Sequence, residues 1–211
     1  MKYFPINLNV DGRRAVVIGG GRIALRKVNA LVDCGADVVV VSPEFCPELA
    51  DMPGITQIER CYEMGDLDNA AVVISATDSE AANRQVWEDA TAAGIPVNVV
   101  DQPERCTFTV PAVFRRGDIM IAISTGGAGP ALSGSIRRRL DVLIGPEYAD
   151  LLELLKPMRR RVRKTDLTFE QRARLMRAMS AEDVLDVLRN DGPEPAQALL
   201  DKMLEKALAQ R

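Results

Sequence analysis

The sequence contains no histidine, and its four cysteines, Cys34, Cys46, Cys61 and Cys106, form no C-x-x-C pair. A zinc site built from cysteine and histidine at finger spacing is therefore excluded, and no metal site is expected. The thiols read as small hydrophobes in a reducing compartment. The lack of histidine also removes the usual base near neutral pH, so acid–base chemistry falls to carboxylates, lysine, tyrosine or cysteine. Long apolar runs are missing too: none approaches the roughly 18 residues that suggest a membrane span. Met1 to Asp11 holds one lysine and no apolar stretch of the kind a secretory signal needs. The expectation is a cytoplasmic protein without a membrane. A strong charge of one sign is also absent. The formal net charge is −3, which gives no argument for nucleic acid. Arg137-Arg138-Arg139 and the run from Lys156 to Lys164 are locally basic, and the second reads as a solvated helix surface.

What is present is an ordinary globular balance, 47% apolar and 27% charged over 211 residues, enough for one large domain or two small ones. Residues 6–10 alternate between apolar and polar, before a turn at Asp11-Gly12. The short apolar run at 15–18 reads as a strand buried on both faces and 37–41 as a second buried strand, while 55–59, 70–75 and 96–100 read as the third, fourth and fifth strands. Residues 22–34 and 79–93 have helical spacing. This alternation implies βαβ units on a parallel sheet up to about Asp101. The pattern then changes. Residues 107–114 and 119–124 read as strands around a turn at Arg116-Gly117-Asp118. Helical patterns follow at 133–143, 147–163, 168–179, 181–189 and 195–209. The fold class expected is α/β: a Rossmann-type parallel-sheet domain, a mixed α+β segment, and a small helical C-terminal domain.

Gly19-Gly20-Gly21-Arg22-Ile23-Ala24 fits G-x-G-x-x-A, directly after a strand and opening a helix. Gly19 permits the tight turn, Gly21 lets the backbone approach a pyrophosphate, and Ala24 lets the helix pack on the sheet. The helix start at Arg22 and Ile23 offers free N–H groups to phosphate. The second strand ends at Ser42, where an acidic residue would be expected, and runs on through Pro43-Glu44. Ser42 or Glu44 can reach the adenosine ribose, and no arginine follows to welcome a 2′-phosphate, so NAD is expected over NADP. Ala76-Thr77-Asp78 ends the fourth strand, where small residues let the nicotinamide half pass or simply cap the next helix.

Asp101 ends the fifth strand at the same rim. It can orient a substrate N–H or accept a proton when a hydride leaves, or it can merely form a turn before Pro103. Ser124-Thr125-Gly126-Gly127-Ala128-Gly129-Pro130 is a second glycine-rich loop between strand and helix, whose N–H groups can receive an anion. Arg115 and Arg116 precede it and Arg137 to Arg139 follow. This cluster suggests a substrate with many carboxylates, as an alternative to a solvated basic helix face.

Together these motifs resemble the siroheme synthase family, over its precorrin-2 dehydrogenase and ferrochelatase module. The matching pieces are Phe4-Pro5-Ile6, Gly19-Gly20-Gly21 with Ile23-Ala24 and Arg26-Lys27, Ala76-Thr77-Asp78 with Asn83, Asn98-Val99-Val100-Asp101 with Pro103, Phe108 with Pro111-Ala112, and Ile121 to Gly127 with Pro130. The resemblance covers about residues 1–145. The tail is similar only in being helical.

The resemblance implies an NAD-binding Rossmann domain over 1–104, a dimerisation and substrate-loop segment over 105–145, and a helical domain over 146–211. It implies a homodimer with NAD at the first loop and a tetrapyrrole substrate, precorrin-2, oxidised to sirohydrochlorin with Asp101 as the required carboxylate. Fused family members carry a serine where this chain has Gly129, and a methyltransferase domain that these residues do not match. Precorrin-2 is thus expected from another protein. Some members also insert Fe(II) into sirohydrochlorin, which is one rival reading. A non-enzymatic NAD-sensing regulatory domain is the other, and the net charge and second glycine-rich loop argue against it.

Overall fold

The computed structural model describes residues 3–209, so Met1 and Lys2 of the N-terminal stretch read above lie outside the described residues. The chain divides into two compact units, Met1–Val110 and Pro111–Arg211.

The first unit is built on five strands: β1 (Arg14–Ile18), β2 (Asp37–Ser42), β3 (Thr56–Glu59), β4 (Val72–Ser75) and β5 (Val97–Val99). All pair in parallel, in the order β3-β2-β1-β4-β5. Strand order reverses between β1 and β4, which makes that crevice the switch point where open α/β sheets bind ligands. The central strands read as continuous apolar runs because both faces are covered. Val16, Ile18, Val39, Val41, Val73, Val97 and Val99 pack with Val86 and Ala90 of helix α3 (Glu80–Ala92). The alternate residues Val17, Val38, Val40 and Ile74 pack with Ala24 and Val28 of helix α1 (Arg22–Val32) and with Leu49 of the short helix α2 (Pro47–Ala50).

No helix connects β3 to β4. Polar contacts hold that connection instead. Asp66 accepts from Arg60 at 2.8 and 2.7 Å and from the Glu63 N–H at 2.9 Å, while Arg14 donates to the Asp66 carbonyl at 3.1 Å.

One strand expectation is corrected: the strand read over 107–114 forms only at β6 (Ala112–Arg116). The alternating residues 6–10 carry no ladder. The backbone at 107–108 runs beside β5 but is tied partly by side chains. Thr107 N–H donates to the Val97 carbonyl at 2.9 Å, Val97 N–H to Thr107 Oγ1 at 2.8 Å, and Asn98 Nδ2 to the Phe108 carbonyl at 3.1 Å. Pro111 then has no N–H to offer a ladder.

In the second unit β6 pairs antiparallel with β7 (Ile119–Ile123). Arg116 stands opposite Ile119, so Gly117-Asp118 is a two-residue loop. Gly117 has φ +54°, the glycine-first form of a type II′ hairpin. Helix α4 (Pro130–Leu143) packs on β6. Helices α5 (Glu147–Arg163), α6 (Phe169–Met179), α7 (Glu182–Asp191) and α8 (Pro193–Ala209) enclose a core that includes Met158, Met179, Val184 and Leu200. The α6 start is a capping box formed by Thr168 and Gln171.

Arg60 holds the Asp66 carboxyl below the ordinary carboxylate range. A lower value in the folded state means that Asp66 contributes stability above its unfolded pKa of about 3.9 and loses it as pH falls through the folded value. Asp66→Asn is therefore expected to lower Tm at pH 7 by about 2–4 °C. The gap to the wild type should narrow in acid, as melting curves from pH 7 down to pH 3 will show.

Candidate active site

The site is built from four strand ends, those of β1, β2, β4 and β5. At the end of β1 the Gly19 N–H donates to the Val41 carbonyl at 2.9 Å, and Ala76 N–H of the β4 end donates to the Ile18 carbonyl at 2.7 Å. The first loop is thus wedged between its neighbours. Gly19 has φ +115°, and a Cβ there would stand 2.4 Å from the Ala76 carbonyl oxygen. At Gly20 a Cβ would stand 1.9 Å from the Glu44 carbonyl oxygen, and the Gly20 carbonyl accepts from Cys46 N–H at 2.8 Å. Sequence reasoning left Gly20 as the free position of the motif. Its requirement comes from the loop after β2, which passes over it.

Gly21 is different: a Cβ there meets nothing within 4 Å. It is the N-cap of α1, with no side-chain cap and no acidic residue in the first turn. The N–H groups of the first turn have no intrahelical acceptor. Open space, unused donors and the positive end of the helix dipole together fit a pyrophosphate. Arg22 and Ile23 stand exposed beside it.

Ser42, Pro43 and Glu44 come to the same loop, with Pro43 and Glu44 exposed. Ser42 is buried, and its hydroxyl donates to the Glu44 carbonyl at 2.6 Å. Its proton shapes the loop rather than facing outward, so the exposed Glu44 is the better placed of the two to meet a ribose.

Ala76 and Thr77 line the other side and are half-buried, while Asp78 is exposed. A pair of buried residues pins this stretch. Ser75 Oγ lies 2.7 Å from Asn83 Oδ1, and Asn83 Nδ2 donates to the Thr77 carbonyl at 3.0 Å. The cap of α3 is Ser79, which accepts from Ala82 N–H, so Thr77-Asp78 is left free of that task.

Asp101 stands exposed just past β5, next to the β4 end, where the Val100 N–H donates to the Ser75 carbonyl at 2.9 Å. Its φ is +61°, the left-handed region that L-residues rarely adopt. Lys27 of α1 was legible only as part of a motif. It is half-buried, and burial pulls its ammonium below the ordinary lysine value. Arg26 adds to that effect, while Asp101 and Cys106 oppose it.

The remaining expected residues belong to the second unit. In the second loop Gly126 and Gly127 have φ +63° and +86°, and a Cβ on either would meet nothing within 4 Å. Ser124 Oγ accepts from Gly126 N–H at 3.3 Å and Thr125 Oγ1 from Gly129 N–H at 3.2 Å, so part of the loop's donor set is used internally. Arg137 is paired with Asp141 at 3.0 Å, and Arg115 is exposed on β6.

A parallel sheet with a glycine-rich loop at its switch point and an uncapped helix start above it defines a dinucleotide-binding protein of the Rossmann class. Residues 6–112, just over half of the chain, match the family described as "Putative NAD(P)-binding", and the chain belongs to that family. Residues 116–143 match the "Sirohaem biosynthesis protein central" family.

Siroheme synthases align across the chain. That of Thioalkalivibrio sulfidiphilus is 39% identical over 214 residues, covering 100% of this chain and 44% of its own length. That of Pseudomonas aeruginosa is 36% identical over 212 residues, covering 99% and 46%. The chain thus spans less than half the length of these relatives. The structure of SirC, precorrin-2 dehydrogenase, superposes with a TM-score of 0.75 at 23% identity, covering 95% of this chain and 100% of that one, and shows the shared fold. The resemblance read over about residues 1–145 therefore holds, and the alignment extends it through the helical tail, which the motifs alone matched only in type.

Two glycine variants separate the roles of the loop. Gly21→Asp is expected to keep the melting temperature and abolish NAD binding in calorimetry, because it puts bulk and negative charge into the open space. Gly20→Ala is expected to cost about 1–3 kcal/mol of stability by overpacking against the Glu44 backbone. Normal NAD affinity in a folded Gly21→Asp protein would refute the assignment of the loop.

Proposed function

We propose that the chain catalyses NAD-dependent oxidation of precorrin-2 to sirohydrochlorin. The observation that carries this reading is the placement of an exposed carboxylate, Asp101, on the same strand rim as a loop shaped for a dinucleotide. The names of the aligned relatives and of the superposed structure support the substrate.

NAD, when bound, supplies the hydride acceptor. The N–H groups at Gly21, Arg22 and Ile23 bind its pyrophosphate, and Glu44 takes the adenosine ribose. A carboxylate there disfavours a 2′-phosphate, which supports NAD over NADP. The stretch Ala76-Thr77-Asp78, held by Asn83, leaves room for the nicotinamide half.

Oxidation removes a hydride from one carbon and a proton from the macrocycle. With no histidine in the chain, Asp101 accepts that proton or orients the ring that loses it. The half-buried Lys27 ammonium adds positive potential beside Asp101. Ser124 to Gly127, Arg115 and Arg137 are assigned to the substrate carboxylates. Exposed Leu132, Val142 and Leu143 of α4 and Met120 of β7 support a homodimer formed through the second unit. Among the described residues no helix is long and apolar enough to cross a membrane, which is compatible with work in the cytoplasm.

Mixing protein, NAD and precorrin-2 without oxygen should give the sirohydrochlorin spectrum together with NADH, and an arm with added Fe(II) or Co(II) tests metal insertion. Asp101→Asn keeps a residue that tolerates positive φ and removes the charge. It is expected to lower turnover by about 10²–10⁴-fold with Tm nearly unchanged. An active but less stable variant would sink the catalytic assignment. Analytical ultracentrifugation at micromolar concentration should show a dimer, and a stable monomer there would remove that part of the reading.

A further inference from the structure

Asp101 is a non-glycine residue at φ +61°. Such a conformation persists only where the surroundings over-determine it. The backbone supplies part of that constraint. Gln102 N–H donates to the Val99 carbonyl at 3.2 Å, and a short 3-10 turn at Pro103–Arg105 follows. Cys106 Sγ lies 3.2 Å from the carbonyl oxygens of both Val99 and Gln102, behind the turn.

The rest comes from another element. Glu80, in the first turn of α3, accepts from Gln102 Nε2 at 2.6 Å with one oxygen and from Arg105 Nη1 at 2.6 Å with the other. Arg105 Nη1 also donates to Gln102 Oε1 at 2.7 Å, closing a triangle of three side chains. An acid in a helix's first turn is ordinary, since it complements the dipole. The dipole does not explain why both of its oxygens are engaged by the turn that carries Asp101.

We propose that Glu80 is a positioning residue, which through Gln102 and Arg105 clamps the Asp101 turn to the start of α3 and so fixes where the Asp101 carboxylate stands relative to the cofactor stretch Ala76–Asp78. This rests on the role assigned to Asp101 above. The clamp is at the surface: the Glu80 side chain is 64% exposed. Pairs of that kind add little to global stability. Their loss is therefore expected to loosen one turn without unfolding the domain. Misplacing a reacting group by about 1 Å can cost about 10²-fold in rate, so a loosened turn matters for turnover far more than for Tm.

The test uses the full chain as wild type, Glu80→Ala and Glu80→Gln, with two readouts. Amide hydrogen exchange followed by mass spectrometry should show faster exchange in the peptide spanning 100–107 of Glu80→Ala, with the peptides of β1 and α1 unchanged. NADH production from precorrin-2 should show kcat lower by about 10–10²-fold, with NAD affinity and Tm close to wild type. Glu80→Gln keeps an acceptor for Arg105 and should recover part of both effects. Unchanged exchange at 100–107 in Glu80→Ala overturns the clamp, whatever the activity. Faster exchange with unchanged kcat overturns its bearing on catalysis. If the wild type forms no sirohydrochlorin while the exchange difference is present, it is the dehydrogenase reading that fails, and the positioning role for catalysis goes with it.

Discussion

The first glycine loop sits where two other chain segments press on it. On one side the Ala76 carbonyl stands 2.4 Å from where a Gly19 Cβ would be, and on the other the Glu44 carbonyl stands 1.9 Å from a Cβ on Gly20. Neither contact leaves room for a side chain, so the β1 end, the β2 loop and the β4 end are locked at backbone distance. That contact brings the α1 start, the Ser42–Glu44 loop and the Ala76–Asp78 stretch to one crevice. Gly21, which carries no such crowding, then opens onto the space a dinucleotide needs.

Polar groups around this crevice hold shape rather than face solvent. Ser42 bonds Glu44, Ser75 and Asn83 meet in the core, and Asn83 holds Thr77. Buried polar groups are tolerated when they find partners, and here Ser42 and Asn83 find theirs in loop carbonyls, those of Glu44 and Thr77. Asp101 is the contrasting case. It is exposed, its backbone is strained, and the residues that keep it there, Glu80, Gln102 and Arg105, come from two different elements. In a chain without histidine, that carboxylate is the group proposed above for the proton chemistry.

The second unit has its own logic. A tight hairpin and α4 carry the second glycine loop and leave Leu132, Val142 and Leu143 exposed on α4, while α5 to α8 bury a separate core. Within it Lys156 pairs with Asp118 of the hairpin turn at 2.6 Å, and Arg116 donates to the Ile144 carbonyl at 3.1 Å. The basic residues that look alike in sequence therefore divide. Lys156, Arg116 and Arg137 have intramolecular partners, whereas Arg138 and Arg139 lie exposed on α4.

Local pattern was enough for much of this. Apolar runs buried on both faces, helical spacing between them and G-x-G-x-x-A after the first strand identify the βαβ order and the dinucleotide loop, because each depends on neighbours in the chain. The same holds for the Arg116–Ile119 turn, which needs only a glycine with positive φ. What local pattern could not supply depends on segments far apart in sequence. Gly20 matters because of a carbonyl at residue 44, and the Ser42 hydroxyl donates its hydrogen bond to that same carbonyl. Residues 107–108 are partly held by the side chains of Thr107 and Asn98 instead of by a regular strand. Glu80 meets Gln102 and Arg105 only once α3 and β5 have packed, 22 and 25 residues apart. A motif records which backbone conformations a stretch can adopt. Which groups then touch is decided by long-range packing, since a hydrogen bond or a steric clash acts over a few ångströms in space and is indifferent to separation along the chain.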